Sequence, residues 1–225
     1  MTSTIQLPTI EILSPARCVV TFEGTRRVVS SILGSGDANT KLRKSAGGGF
    51  VTRGVSMLPH KMGGIGNVCP FASAGCVAAC LNDTGLASVF SSIQTGRLVR
   101  RILWQNSREW FLGRLDADLH NATRAAERIG QRLAVRLNVF SDIPWERFGI
   151  IENHPSIQFY DYTKNPNRVG KLASNYWTTF SRSETNHADT LRLLSERKNV
   201  AVVFHNPGRG FVGNRAGLQT MPRQW

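Results

Sequence analysis

Acidic side chains are scarce in this sequence: 15 Asp and Glu stand against 28 Lys and Arg, a formal net charge of +13. That balance favours polyanion partners, since phosphate contacts dominate affinity for nucleic acid. Long apolar runs are missing too. No stretch of 18 apolar residues occurs, so no membrane-spanning helix is expected. The opening segment, MTSTIQLPTIEILSPAR, lacks a positive region ahead of an apolar core, so no secretory leader is expected. The expected setting is the cytoplasm, without a membrane partner. Thiols stay reduced there, and clustered cysteines point to metal or catalysis rather than disulfides. No GxxxxGK[ST] loop, GxSxG elbow or GxGxxG ahead of a helix is found, so nothing announces a P-loop, an α/β-hydrolase or a dinucleotide fold. No repeat of solenoid length occurs.

Cysteine is also sparse, yet three of the 4 crowd into NVCPFASAGCVAACLNDTG, as Cys69, Cys76 and Cys80. The spacing is C-x6-C-x3-C. Cys76 and Cys80 share a face if AGCVAAC is helical, and Cys69 precedes Pro70 in an extended loop that can fold back. Three thiolates can thus converge on one point. Three are too few to close a tetrahedral structural zinc site, so a fourth ligand is needed: Cys18, His60 or an exogenous group. A four-iron cluster held by three cysteines keeps one iron open. Thiolate-only clustering favours iron–sulfur, with zinc as the alternative. The competing reading is that Cys76 and Cys80 are small buried packing residues.

The rest of the chain sorts by period. Residues 1–33 read as an arm or hairpin, with β-type stretches CVVTFEG and RRVVSSIL. Residues 34–49 read as a Gly-rich loop, and FVTRGVSML as a strand. A helix is expected over 86–106. Ser107 then caps a second one, whose face is Leu112, Leu115, Leu119, Ala122, Ala126 and Ile129. Strands are expected at 132–140, 157–162, 176–181 and 200–205, with helical stretches near 145–153 and 183–197. This alternation predicts an α/β fold: a partial βα-barrel-like domain with a largely parallel sheet over 34–205, followed by a loose basic tail at 206–225.

Polar residues gather at the strand ends, where parallel α/β folds collect ligands. Asn138, Asp142, Asp161, Lys164, Ser181 and Glu184 are the candidate catalytic set. Each has a plainer reading, as a helix cap, an Asn-Pro turn or a helix start. Arg97, Arg101, Trp104 and Arg108 fall on one helical face, a basic stripe with an aromatic between charges that suits phosphates and a stacked base. A solvated face with Trp104 packed inward is the plainer reading. The histidines are scattered with no His-x3-His pair, and His60, nine residues before Cys69, is the one near enough to suggest ligation.

A resemblance rests on DANTKL (37–42), MLPH (57–60), CPFASAGCVAACLNDTG (69–85), RLNVFSDIPWE (136–146), FYDYTKNPNR (159–168), NYWTTFSRSE (175–184) and VAVVF (200–204). Over about 34–205 the chain resembles the bacteriophage family called gene product 88. The resemblance implies a phage-encoded protein and no particular reaction. The family's usual chain continues past VAVVF with an acidic segment and another strand, where this one has its basic tail. A looser similarity is to radical S-adenosylmethionine enzymes, which place three cysteines ahead of βα units. Here the spacing is not C-x3-C-x2-C and no GGE-like segment is present. S-adenosylmethionine enters as a cofactor by that analogy alone.

The leading expectation is an iron–sulfur protein, with enzymatic action left open, that acts on nucleic acid or a nucleotide at a strand-end pocket. The alternative is a basic nucleic-acid-binding or host-interaction protein with a structural metal.

Overall fold

The computed structural model describes residues 7–35, 48–83 and 89–203. Two sheets and four α-helices lie among them. The first sheet is an antiparallel meander of β1 (Thr9–Ser14), β2 (Arg17–Phe22) and β3 (Thr25–Val29). Glu23 and Gly24 turn β2 into β3 with φ of 45° and 73°. Two left-handed residues in a two-residue loop are what the twist of a hairpin asks for.

The second sheet runs β10–β9–β7–β6–β5–β4. β5 (Phe50–Gly54), β6 (Arg132–Arg136), β7 (Gln158–Thr163), β9 (Tyr176–Ser181) and β10 (Val200–Ala201) are parallel neighbours. β4 (Gly34–Ser35) joins β5 antiparallel, and β8 (Gly170–Ala173) pairs antiparallel with the start of β9. The expected α/β architecture with a largely parallel sheet is thus present. Among the described residues no pairing joins β10 to β4, so the sheet is open.

Helices fill the first crossover. α1 (Ala74–Ala78) carries Cys76, and α2 (Ser91–Asn106) breaks at Ser107 into α3 (Arg108–Glu127). Ser107 occupies the predicted cap position, but its hydroxyl makes no cap bond. α3 buries Phe111, Leu115, Leu119 and Ala126, whereas Ile129 is exposed, so the predicted face is right along its middle and wrong at its end. The helix expected near 145–153 is only a 3-10 turn at Trp145–Arg147. The helix expected over 183–197 is α4 (His187–Ser195). The strand expected over 132–140 stops at Arg136. The Asn138 N–H leaves the ladder and donates instead to the Asp161 carboxylate at 2.7 Å.

One core joins both sheets. Val20, Val29 and Ile32 share it with Leu115, Leu119, Val135, Trp145 and Phe159. Cys18 sits in that core with no exposed surface. The expected loop at 34–49 and basic tail at 206–225 fall largely or wholly outside the described residues.

Candidate metal centre and strand-end site

The cysteine segment lies against the carboxyl ends of the parallel strands. Asp142 N–H, just past β6, donates to Val68 O at 2.7 Å. The Cys69 thiol donates to Phe140 O at 3.4 Å and accepts from the His60 N–H at 3.3 Å. Ser73 caps α1, its hydroxyl accepting from the Cys76 N–H at 3.2 Å. Glu184, past the end of β9, then clasps that helix start: its carboxylate accepts from the Gly75 N–H at 2.7 Å and from the Ser73 hydroxyl at 2.8 Å. Its own backbone N–H, Gly75 and Ser73 together hold the carboxyl below its ordinary range. A Cβ at Gly75 would lie 2.8 Å from Glu184 Oε1, so only glycine leaves room for the clasp.

Two arginines of α2 brace the segment at its ends. Arg97 donates to the carbonyl and side-chain oxygens of Asn82 at 2.8 and 2.7 Å, and its guanidinium lies 4.2 Å from the Phe140 ring centroid. Arg101 donates to Ile65 O and to His60 O. Arg101 is completely buried, no ion pair involving it is found among the described residues, and its Nη1 has no hydrogen-bond partner. Burial lowers its pKa, and the charge of Cys69 acts in the opposite direction.

This overturns the expected solvent-facing stripe. Arg97, Arg101 and Trp104 are buried. Trp104 packs on Phe111, Trp145 and Phe148, with ring centroids 5.1–5.4 Å apart. Arg108 alone of the four is exposed, stacked over Trp104 at 4.5 Å. Backbone carbonyls of the irregular 60–82 segment have few ladder partners, and the arginines supply the missing donors.

The Cys69 thiol is pushed up to about 11, first by burial and then by Asp142 and the neighbouring Cys76 and Cys80. Charge on Cys76 or Cys80 thus disfavours the Cys69 thiolate. The three thiols do not all close to 4.8 Å of one another. A tetrahedral zinc, with Zn–S of about 2.3 Å, draws its sulfurs to about 3.8 Å. A cubane places each thiolate on a separate iron and needs a wider spread. Cys18, offered as a fourth ligand, lies in β2 and is raised to about 11 by burial alone. His60 reaches Cys69 through its backbone.

The six strand-end candidates separate into two layers. Asn138 and Asp161 are buried and fully engaged. Asn138 Oδ1 accepts from Ser141, Ile143 and Trp145, and its amide donates to Ile143 O and Asp161. Asp161 also accepts from the Tyr176 hydroxyl at 3.0 Å. These two lie buried beneath the strand ends, their polar atoms taken up by neighbouring groups. Asp142 is tied to Thr163, the Lys164 N–H and Arg168 at 2.8–2.9 Å. Lys164, Ser181 and Glu184 face outward. Lys164 Nζ donates to Ser181 Oγ at 3.0 Å, and the Glu184 clasp joins this layer to α1.

Arg168 was not singled out from the sequence. It holds Glu146 bidentately at 2.7 and 2.8 Å while bonding Asp142. Burial works against its charge, but Glu146, Tyr176 and Asp142 outweigh it and raise its pKa. Its place at the end of NPNR, one turn past a strand, was the available signal.

The fold and site define an α/β protein with a thiol-bearing segment clasped to the carboxyl ends of its parallel strands. The chain belongs to the Gene product 88 family, whose model matches residues 32–220. The match reaches into the basic C-terminal segment, further than the 34–205 expected. No curated protein and no solved structure matches the chain.

Proposed function

We propose that this chain is a phage-encoded iron–sulfur protein, with the cluster on Cys69, Cys76 and Cys80 and a ligand-binding mouth at the adjoining strand ends. The observation that carries this reading is Arg101: a buried guanidinium beside Cys69, with one nitrogen unpartnered. A buried cation without a counter-charge is costly, and thiolates on a metal cluster supply that charge. The choice of a four-iron cluster over zinc rests on the thiolate-only donor set. When bound, the cluster would offer an iron without a protein thiolate as a Lewis-acid or electron-transfer centre.

The chain's own residues supply the rest. Glu184 fixes the start of α1 and so orients Cys76. Lys164 and Ser181 offer donors at the mouth, a set suited to a phosphate-bearing or zwitterionic ligand, the class of nucleotides, nucleic-acid ends and S-adenosylmethionine. The open parallel sheet would serve as the partial barrel around that mouth. No described helix is long and apolar enough to cross a membrane, and the proposed setting is the reducing host cytoplasm. The nucleic-acid-binding alternative rested on the stripe and the basic tail, and of these Arg97, Arg101 and Trp104 are buried.

The test is iron, acid-labile sulfide and visible absorption on anaerobically purified protein, beside a Cys69→Ala, Cys76→Ala, Cys80→Ala variant. Iron and sulfide present in the parent and absent from the variant are expected. Zinc alone, or no metal after anaerobic reconstitution, overturns the proposal.

A further inference from the structure

A second group of ligand atoms lies at the other end of the sheet. Asp116 and His120 are one turn apart on α3, and His154 comes from the connection between β6 and β7. His154 Nε2 lies 2.8 Å from Asp116 Oδ1, and His120 Nε2 lies 3.7 Å from Asp116 Oδ2. The two imidazole centroids are 4.6 Å apart. All three ligand atoms fall within 4.8 Å of one another, the one such group of His, Cys, Asp and Glu among the described residues.

The geometry is built rather than incidental. His154 is buried, its side chain 3% exposed, and its ring nitrogen points at a carboxylate open to solvent. Its backbone is pinned: buried Asn175 donates through Nδ2 to the carbonyls of His154, Ile151 and Ile157 at 2.9–3.2 Å. Asn175 itself precedes β9, and its carbonyl accepts from the Phe159 N–H. His154 therefore stands at the amino ends of β7 and β9, opposite the end that holds Lys164 and Ser181. Beside the group is a surface depression of about 420 Å³ lined by Asp116, Ala117, His120, Asn121 and Arg124.

We propose that Asp116, His120 and His154 form a site for a divalent first-row transition metal, independent of the cysteines. Two imidazoles and one carboxylate are the donor set of open zinc sites and of non-haem ferrous sites. One fixed ligand, His154, is preset by the fold, and His120 closes on the ion from the exposed helix face. Three protein donors leave at least one position open, on the side of the depression. Arg124 stands at that rim, so the exchangeable ligand is water or a small anion.

Titration of the full chain with cobalt(II), followed by visible absorption and then displaced by zinc, tests this. The expected signal is a d–d band without thiolate charge transfer, from one equivalent of metal. His120→Ala and Asp116→Asn, both at solvent-open positions and folded by circular dichroism, are each expected to weaken that binding tenfold or more. Removal of the cysteines is expected to leave it unchanged. No thiolate-free cobalt band in the parent, or equal affinity in the parent and both variants, overturns the proposal and leaves His154–Asp116 as a structural hydrogen bond.

Discussion

Asp161 is buried, and burial pushes its carboxyl up to about 7 against the pull of Arg136, the Asn138 N–H and the Tyr176 hydroxyl. Its folded pKa thus exceeds its ordinary value, 3.8. Stability from this group is complete below pH about 4, falls as pH rises, and levels off above about 7, with a slope of at most about 1.4 kcal/mol per pH unit. Asp161→Asn keeps the shape and removes the titration, so chemical denaturation of the variant should show that slope flattened. A variant with the parent's pH profile would mean that Asp161 stays ionised throughout. The sequence marked Asp161 and Asn138 as polar groups at strand ends, and it was right about where they are. It was silent on whether their atoms were free. That depends on Ile143, Trp145 and Tyr176, whose donors and acceptors converge only once the strands are side by side.

At the scale of elements, α2 shows how a correct pattern can face the wrong way. The i, i+4, i+7 spacing of Arg97, Arg101 and Trp104 does place them on one side of a helix. Charge suggested that this side met solvent. The deciding fact lies in the neighbouring segment, which has irregular backbone and carbonyls in want of donors. Arg97→Ala should therefore act on folding. It strips two bonds from Asn82 and is expected to cost about 2–3 kcal/mol in urea unfolding. Retention on immobilised DNA at fixed salt should hardly change for the folded fraction. A large loss of retention at unchanged stability would restore the outward stripe. α1 gives a second case. Gly75→Ala forces the Glu184 carboxylate off the helix start, because the added Cβ meets it at 2.8 Å. The carboxylate is the end of a flexible side chain and swings into solvent, so the expected stability change is small, under about 1 kcal/mol. The readout is the Glu184 carboxyl, whose pKa should return upward towards its ordinary value in carbon-13 NMR. A Glu184 titration unchanged by the substitution would show that the clasp does not hold in solution.

At the scale of the whole molecule, the question is whether the N-terminal meander belongs to the same cooperative unit as the parallel sheet. The sequence showed β-type segments within 1–33 and read them as an arm or hairpin; it could not show where they dock, because the contacts span 85 to 87 residues. β1–β3 precede the family match, which begins at residue 32, yet their apolar residues share the main core. Asp118 of α3 makes the junction. Its Oδ2 accepts from the Ile32 N–H at 2.6 Å, the Leu33 N–H at 3.1 Å and the Ser31 hydroxyl at 3.0 Å. Its Oδ1 pairs with Arg114 at 2.8 Å, in a setting where both side chains are about nine-tenths buried. Trp110 adds a bond from Nε1 to Ser14 O at 3.0 Å. Asp118→Ala leaves two backbone donors and a buried guanidinium without their acceptor, a loss of about 3–5 kcal/mol. Domains of this size are stable by only about 5–15 kcal/mol in total. If the meander and the parallel sheet are one unit, the variant's urea transition moves as a whole and stays single when followed by both tryptophan fluorescence and far-UV circular dichroism. If the meander is a separate appendage, the transition splits: an early step for the meander, then a later one at the parent's midpoint. The shared core, with Val20 and Ile32 packed among residues of α3 and β6, argues for the single transition.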